Sequence, residues 1–231
     1  MISAMETGDT LSVCTDDGHT IYVKNDTGRT VYMYGEDPSS PSKSVDRGEE
    51  KMQYAVELYF DKETENKLLS LANVIAEKGI STKFLEWKTR PHLTLACFND
   101  VKEIECMERL KDFAKNHNKM PAYLSSIGMF NDTKAIFISP DMNSSMYQFH
   151  RELHEILSSF DSKGWEWYCP DGWVPHCTVA MTGDDAEEAF YQASDLVLHE
   201  FEKICGSFES VGLVKITFPV EEIFTVSLCE C

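Results

Sequence analysis

Apolar positions in the main part of the chain recur first at strand spacing and then at helical spacing. Residues 53 to 60, QYAVELYF, form a nearly continuous apolar run of strand length. Residues 61 to 78 then carry leucine, alanine and isoleucine at helical intervals, and Gly79 stands at the position that usually ends a helix. The pattern predicts a buried strand followed by an amphipathic helix.

The same alternation continues toward the carboxyl terminus. The expected elements are a strand ending at residue 98, a helix with Ile104, Met107, Leu110 and Phe113 on its apolar face, a hairpin at 122 to 130 and 134 to 139, a helix at about 144 to 160, a strand at 174 to 181, a helix at about 184 to 203, and a strand pair at 208 to 218 and 221 to 228. Strand, helix, strand, helix and hairpin are thus followed by helix, strand, helix and hairpin. This internal repeat predicts two similar lobes with one cleft between them.

The first 51 residues have a different pattern. Residues 1 to 35 alternate short β-type runs with turn sequences, which predicts a small β-meander extension. Residues 36 to 51 are polar and rich in proline and serine, as linkers are, and the main domain is expected to span residues 52 to 231. Three such short strands bury too little surface to be stable alone, so we expect the extension to pack on the main domain or on a partner chain.

Two of the predicted strands carry the same polar pair. The segments RPHLTLACF and VPHCTV each place a histidine and a threonine two positions apart. Side chains at i and i+2 of a strand share a face, so His92 is expected beside Thr94 and His176 beside Thr178. A neutral and a protonated imidazole on opposite sides of one phosphorus provide a base and an acid without a metal, and the hydroxyls can bind the phosphate oxygens.

The repeated motif, PHLTLA in one half and PHCTVA in the other, resembles that of the 2H phosphoesterase superfamily. Within it, residues 52 to 231 resemble the bacterial 2'-5' RNA ligase-like, or LigT-like, proteins. The resemblance implies an α+β, bilobal LigT-like fold, in which two pseudo-symmetric lobes, each an antiparallel sheet with packed helices, surround a central cleft. It also implies a metal-independent phosphodiesterase for 2',3'-cyclic phosphates or 2',5'-linked (oligo)nucleotides, with reversible 2'-5' RNA ligation in some members.

The resemblance gives His92 and His176 catalytic roles and assigns phosphate binding to Thr94 and Thr178. The orientation of the substrate decides which histidine is the acid in a pseudo-symmetric site, so that assignment stays open, as does the choice between hydrolysis and ligation. We favour His92 as the acid and His176 as the base. Two other functions are also open: a non-catalytic nucleotide or short RNA-binding protein, and a phosphodiesterase of a cyclic oligonucleotide signal.

Three more residues near the motifs are candidates for substrate contacts. Arg90 precedes His92 by two positions and is expected to assist phosphate binding. Trp173 and Tyr168 lie in the aromatic segment ahead of the second motif and are expected to stack a nucleobase.

The segment HRELH places His150 and His154 at i and i+4, which is the spacing of zinc ligands on a helix. Arg151 stands where a zinc protease of that type needs glutamate, so we interpret the segment as a structural or surface helix. The chain has no GxGxxG or GxxxxGK[ST] pattern. Neither a metal nor a cofactor is therefore expected.

Charge narrows the class of partner. Lys and Arg total 21 against 39 Asp and Glu, which gives a formal net charge of -18. A surface that acidic repels a long phosphate backbone, so we expect a short RNA or a nucleotide as substrate and no long duplex nucleic acid. No apolar run is long enough to span a membrane, and no secretory signal opens the sequence, so a cytoplasmic protein is expected, with its oligomeric state open.

Overall fold

A computed structural model describes residues 52–160, 164–183 and 186–230, together with the backbone of three amino-terminal strands. The strands are β1 (Leu11–Ser12), β2 (Thr20–Lys24), β3 (Thr30–Tyr34), β4 (Tyr54–Phe60), β5 (His92–Phe98), β6 (Met120–Phe130), β7 (Ala135–Pro140), β8 (Cys177–Met181), β9 (Ile204–Lys215) and β10 (Glu221–Ser227). The helices are α1 (Lys62–Glu77), α2 (Lys83–Glu86), α3 (Glu103–Lys115), α4 (Ser144–Leu157) and α5 (Glu187–Glu200). The predicted sequence of strands and helices in the main domain is therefore confirmed, apart from the short helix α2.

Helix α1 shows how local sequence sets the element boundaries. The Asp61 side chain accepts a hydrogen bond from the backbone N–H of Thr64 at 2.9 Å and so caps the helix start. Gly79 follows the helix with φ of 71°, a left-handed conformation that glycine adopts without steric cost. The helix therefore begins and ends where the sequence indicates.

Two details differ from the expected elements. Ile104 is 72% exposed, because α3 turns Cys106, Leu110 and Phe113 toward the core and leaves Ile104 on the solvent side. Strand β8 begins at Cys177, so His176 is the last residue of the preceding loop rather than part of the strand.

The strands form two antiparallel groups that share one sheet. One group has the order β5-β4-β9-β10 and the other has the order β8-β7-β6. The first halves of β6 and β9 pair with each other, Met120 opposite Phe208 and Leu124 opposite Ile204, and so join the groups. The chain thus has the α+β, two-lobed architecture that was expected. The strand with the motif threonine lies at an edge of each group: β5, which begins at His92, and β8, which His176 directly precedes.

The amino-terminal strands continue the second group. Strands β1, β2 and β3 pair antiparallel in chain order, and β3 pairs with β6 in parallel, Val31 opposite Ile127. The division into an extension, a linker and a main domain stays a prediction, and the expected linker lies outside the described residues. Among the described residues, no helix combines the length and apolarity that crossing a bilayer requires.

Candidate active site

His92 stands at the start of the edge strand β5 with its two ring nitrogens in different environments. Nδ1 donates a hydrogen bond to the carbonyl of Arg90 at 2.6 Å, which fixes the tautomer of the neutral ring. Nε2 lies 3.4 Å from Oε1 of Glu57 on the neighbouring strand β4. The ring is therefore held by its own loop and presents Nε2 for chemistry.

His176 has the same arrangement in the other lobe. Its Nδ1 donates to the carbonyl of Val174 at 2.7 Å, again two residues earlier in the chain. The ring packs against Phe130 and Phe137, with centroids 4.9 Å and 5.4 Å away. In each lobe, Nδ1 of the histidine thus donates to the backbone carbonyl two residues earlier. This shared hydrogen bond does not follow from the short motif alone.

Both motifs open onto one cleft of about 420 Å³. The cleft is lined by His92, Thr94, His176 and Thr178 among other residues, so the structure brings all four predicted motif residues together. The thiol of Cys177 also lies against the backbone N–H of His92, which joins the two histidine segments directly.

Groups from the second half of the chain donate hydrogen bonds to the edge of β5 that does not pair with β4. Nε2 of His150 and Nε2 of His154 both donate to the Leu95 carbonyl, at 2.9 Å and 3.0 Å. The Trp165 backbone N–H donates to the Cys97 carbonyl at 2.8 Å. These bonds satisfy edge carbonyls that would otherwise lack partners, and they fix the segment before His176 on the strand that carries His92.

The HRELH helix is therefore structural. Burial and the neighbouring His154 lower the pKa of His150 to about 3, so its ring is neutral near pH 7. No group of three or more metal-binding side chains occurs among the residues that the structure describes. The zinc-like spacing instead provides two donors to one carbonyl.

Trp173 lies elsewhere than expected. Its indole stacks on His150 with centroids 3.8 Å apart, and Nε1 donates to the Thr94 carbonyl at 2.9 Å. The residue is buried and does not line the cleft, because a buried indole N–H needs an acceptor and finds it in the Thr94 backbone. Tyr168 does line the cleft, but only 2% of it is exposed, so it offers little ring surface to a base.

Arg90 also lies outside the cleft wall. Its Nε and Nη2 donate to the buried carboxylate of Glu65 at 3.0 Å and 2.6 Å, and Nη1 pairs with Glu222 at 3.3 Å. The guanidinium stacks over the Tyr59 ring at 4.0 Å. Two carboxylates thus bind Arg90, which the sequence predicted to contact phosphate. Because Pro91 separates Arg90 from β5, the alternation of side chains along a strand does not extend to Arg90.

Glu57 is a residue of the cleft wall that sequence reasoning missed. It is 3% exposed, and its Oε2 has no hydrogen-bond partner among the residues that the structure describes. Burial raises the pKa of its carboxyl, and the neighbouring His92 lowers it by less. The signal was present in the sequence: a glutamate in the middle of the apolar run YAVELYF is a charged group where burial is expected.

The aromatic residues on the cleft wall come from both lobes. Trp87 and Phe218 meet edge to face, with centroids 5.6 Å apart, and Phe218 is 76% exposed. Trp165 lines the wall as well. Trp87 and Trp165 stand in the segments ahead of the two motifs, whereas Phe218 follows a strand remote in sequence and carries no motif signal.

Comparison with known families agrees with this geometry. The family model described as the 2'-5' RNA ligase superfamily matches residues 76–224, which include both histidine motifs. The chain belongs to this superfamily. The superfamily consists of 2H phosphoesterases, and the match confirms the resemblance that the two motifs indicate.

Several solved structures are similar to this chain at low sequence identity. E. coli LigT complexed with 3'-AMP matches with a TM-score of 0.50 and 13% identity, over 78% of this chain and 99% of that chain. E. coli LigT complexed with NADP+ matches with a TM-score of 0.47 and 13% identity, over the same 78% of this chain and 99% of that one. Kluyveromyces marxianus Usb1 with uridine monophosphate gives a TM-score of 0.40 and 12% identity, over 78% and 98%. A search of curated proteins returned no match.

Proposed function

We propose that this superfamily member is a metal-independent phosphodiesterase that uses His92 and His176 as a paired acid and base on short nucleotide substrates. The observation that carries the proposal is the matched pair of imidazoles. Each donates Nδ1–H to a carbonyl of its own loop, at 2.6 Å or 2.7 Å, and both line one cleft with two threonines. Nε2 is then the ring nitrogen through which each imidazole exchanges a proton with substrate.

The reaction needs one proton taken and one given. One imidazole removes a proton from water as the water oxygen attacks phosphorus, and the other gives its proton to the ribose oxygen as the P–O bond breaks. Hydroxyl groups of Thr94 and Thr178 donate hydrogen bonds to the non-bridging oxygens, on which negative charge is concentrated. A 2',3'-cyclic phosphate then opens to a monoester, and 2',5' ligation is the same chemistry with a ribose hydroxyl in place of water.

The charge of the cleft favours a small, singly charged diester. Among the described residues that line it there is no lysine or arginine, so protonated histidine is the available cation. A cyclic phosphate or an internal diester carries one negative charge, which suits such a site better than a polyphosphate does. The exposed ring of Phe218, next to Trp87, provides a surface on which one base can stack.

Nucleotides in related structures support the same substrate class. E. coli LigT has been solved with 3'-AMP and the K. marxianus Usb1 structure contains uridine monophosphate. A cyclic oligonucleotide signal and simple nucleotide binding are the alternatives, and a binding protein would have no need for the paired nitrogens. The cytoplasmic location stays a prediction from the sequence.

A substrate panel in excess EDTA tests the proposal. We expect turnover of 2',3'-cyclic mononucleotides or 2',5'-linked adenylates by the native protein, and a loss of about 10²- to 10⁴-fold in both His92→Ala and His176→Ala. Loss of native activity on adding EDTA would contradict the metal-independent mechanism. Tight binding of these compounds without turnover would favour the binding protein, and turnover of cyclic dinucleotides alone would favour the signalling phosphodiesterase.

A further inference from the structure

The motif threonine of each lobe pairs with a residue of the neighbouring strand directly after a register shift, but the paired residue differs. In the first lobe Glu57 of β4 pairs with Thr94, directly after a register shift between Val56 and Glu57. In the second lobe Phe137 of β7 pairs with Thr178, directly after a register shift between Ile136 and Phe137. The same structural position therefore holds a carboxyl beside one histidine and a phenyl ring beside the other.

The carboxyl of Glu57 faces the proton-transfer atom of His92. Oε1 lies 3.4 Å from Nε2, whereas Nδ1 of the same ring is committed to the Arg90 carbonyl. In the second lobe, the Phe137 ring packs 5.4 Å from the ring of His176. One imidazole thus has an ionisable group at its reactive nitrogen, and the equivalent group of the other lobe cannot ionise.

A buried carboxyl in this position requires either a proton or a cation. Its Oε2 accepts no hydrogen bond among the described residues, so an isolated carboxylate would be costly there. Burial correspondingly raises the pKa of Glu57, whereas His92, a hydrogen bond from Tyr59 and the charge of Arg90 lower it by less. The Glu57 carboxyl and Nε2 of His92, 3.4 Å apart, are therefore placed to share one proton.

Building on the proposed function, we propose that Glu57 keeps this shared proton at Nε2 of His92 and so makes His92 the acid and His176 the base. Glu57 acts through His92 and is a positioning residue. In the step, His176 takes a proton from water, the water oxygen bonds to phosphorus and the ribose P–O bond breaks. The leaving oxygen takes the proton from His92. Afterwards His176 releases its proton to solvent and His92 takes up a new proton from solvent.

Other ionisable groups surround Glu57 and must be separated from this effect. They come from β4, the segment before β5, β5 itself, β8 and β10: Tyr59, Arg90, Cys97, Cys177 and Glu222. Arg90 is already paired with Glu65 and Glu222. Burial raises the pKa of Cys97 and Cys177, so both thiols are neutral near pH 7. Glu222 thus provides a matched control for the loss of one nearby negative charge.

A titration that needs no turnover tests the pairing. The carboxyl carbon of Glu57 is followed by ¹³C NMR in the native protein, in His92→Asn and in the equivalent variant of the other lobe, His176→Asn. Removing the cation at His92 should raise the Glu57 midpoint by about one pH unit, as expected for an opposite charge at contact distance, and His176→Asn should change it much less. Equal shifts in both variants, or none, would overturn the pairing.

The pH dependence of kcat tests the role. The alkaline limb of the profile reports loss of the proton from the catalytic acid. In Glu57→Gln this limb should move about one pH unit lower. At pH values above the limb kcat should then fall about tenfold, and on the acid side it should stay within about twofold of native. Glu222→Gln should leave the limb in place. An unchanged limb in Glu57→Gln, with native stability, would overturn the assignment of His92 as the acid. Absence of native turnover would instead refute the proposed function, while the titration still decides the pairing.

Discussion

Among single residues, Arg90 is the main hydrogen-bonding partner of the buried carboxylate of Glu65 and so stabilises it. Glu65 is almost wholly buried and receives two hydrogen bonds from the guanidinium, whereas its other cation, Lys62, is 3.3 Å away and largely exposed. Removing one member of such a pair leaves an under-satisfied buried charge. The contribution of Arg90 is therefore to stability rather than to substrate binding.

Replacement of Arg90 separates these two roles. We expect Arg90→Met to lower the free energy of unfolding by about 1–3 kcal/mol, because Glu65 loses its charged donor, and the Arg90→Met/Glu65→Leu pair to recover most of that loss. Urea denaturation measures both. Michaelis constants should stay within about twofold of native. A large rise in KM at native stability would instead place Arg90 on the phosphate.

Some residues of the candidate site could be predicted from the sequence and others could not. The position of the two histidines and two threonines at one cleft was predictable because a repeated motif defines these residues without knowledge of tertiary contacts. Trp173 was not, since an aromatic residue near a motif can face the cleft or the core, and only the position of the Thr94 carbonyl decides. Glu57 was visible as a charge in an apolar strand, but the nitrogen it faces comes from the neighbouring strand.

At the scale of elements, the loop ahead of β8 is fastened to β5. Trp173 supplies one of the fastening bonds, from Nε1 to the Thr94 carbonyl, and packs on His150. Trp173→Phe keeps an aromatic ring at this position but removes the N–H donor. We expect a loss of about 1–2 kcal/mol in unfolding free energy with little change in KM, whereas Trp87→Ala should raise KM. A raised KM in Trp173→Phe at unchanged stability would contradict the structural role.

The start of α1 makes the stability dependent on pH. Burial acts to raise the pKa of Asp61, but hydrogen bonds from Thr64 and Ser207 outweigh it and hold the pKa below the usual 3.8. A lowered pKa in the folded state adds stability above the unfolded pKa, and this is lost as pH falls through the folded value. Asp61→Asn should therefore be less stable by about 1 kcal/mol at pH 7, with the difference shrinking below pH 4. A constant difference across that range would show that the Asp61 carboxylate does not cause the pH dependence.

The order of elements could be predicted because each is locally encoded, by apolar period, cap and glycine. The pairing of β6 with β9, which joins the two lobes, could not be predicted from local pattern. It depends on which edges are left after each hairpin has formed, and several arrangements satisfy the same strand order.

At the scale of the whole molecule, the net charge of -18 opposes long polyanions. The cost grows with the number of phosphates brought near the surface and falls as salt screens them. For substrates with the same 2',3'-cyclic end, we expect kcat/KM to be lower for an RNA of roughly 20 nucleotides than for a dinucleotide at low salt, and the gap to narrow as salt rises. A long RNA that is turned over faster at low salt would indicate a basic path outside the cleft described here.

In the proposed mechanism His92 and His176 act together on one phosphorus, and a comparison of single and double variants shows whether they do. Turnover of a 2',3'-cyclic mononucleotide is measured in EDTA for native protein, His92→Ala, His176→Ala and the double variant. Groups that act as a unit are non-additive, so the double variant should lose no more than about the larger single loss, on the order of 10²- to 10⁴-fold. Full activity in either single variant, or losses that simply multiply, would contradict paired catalysis.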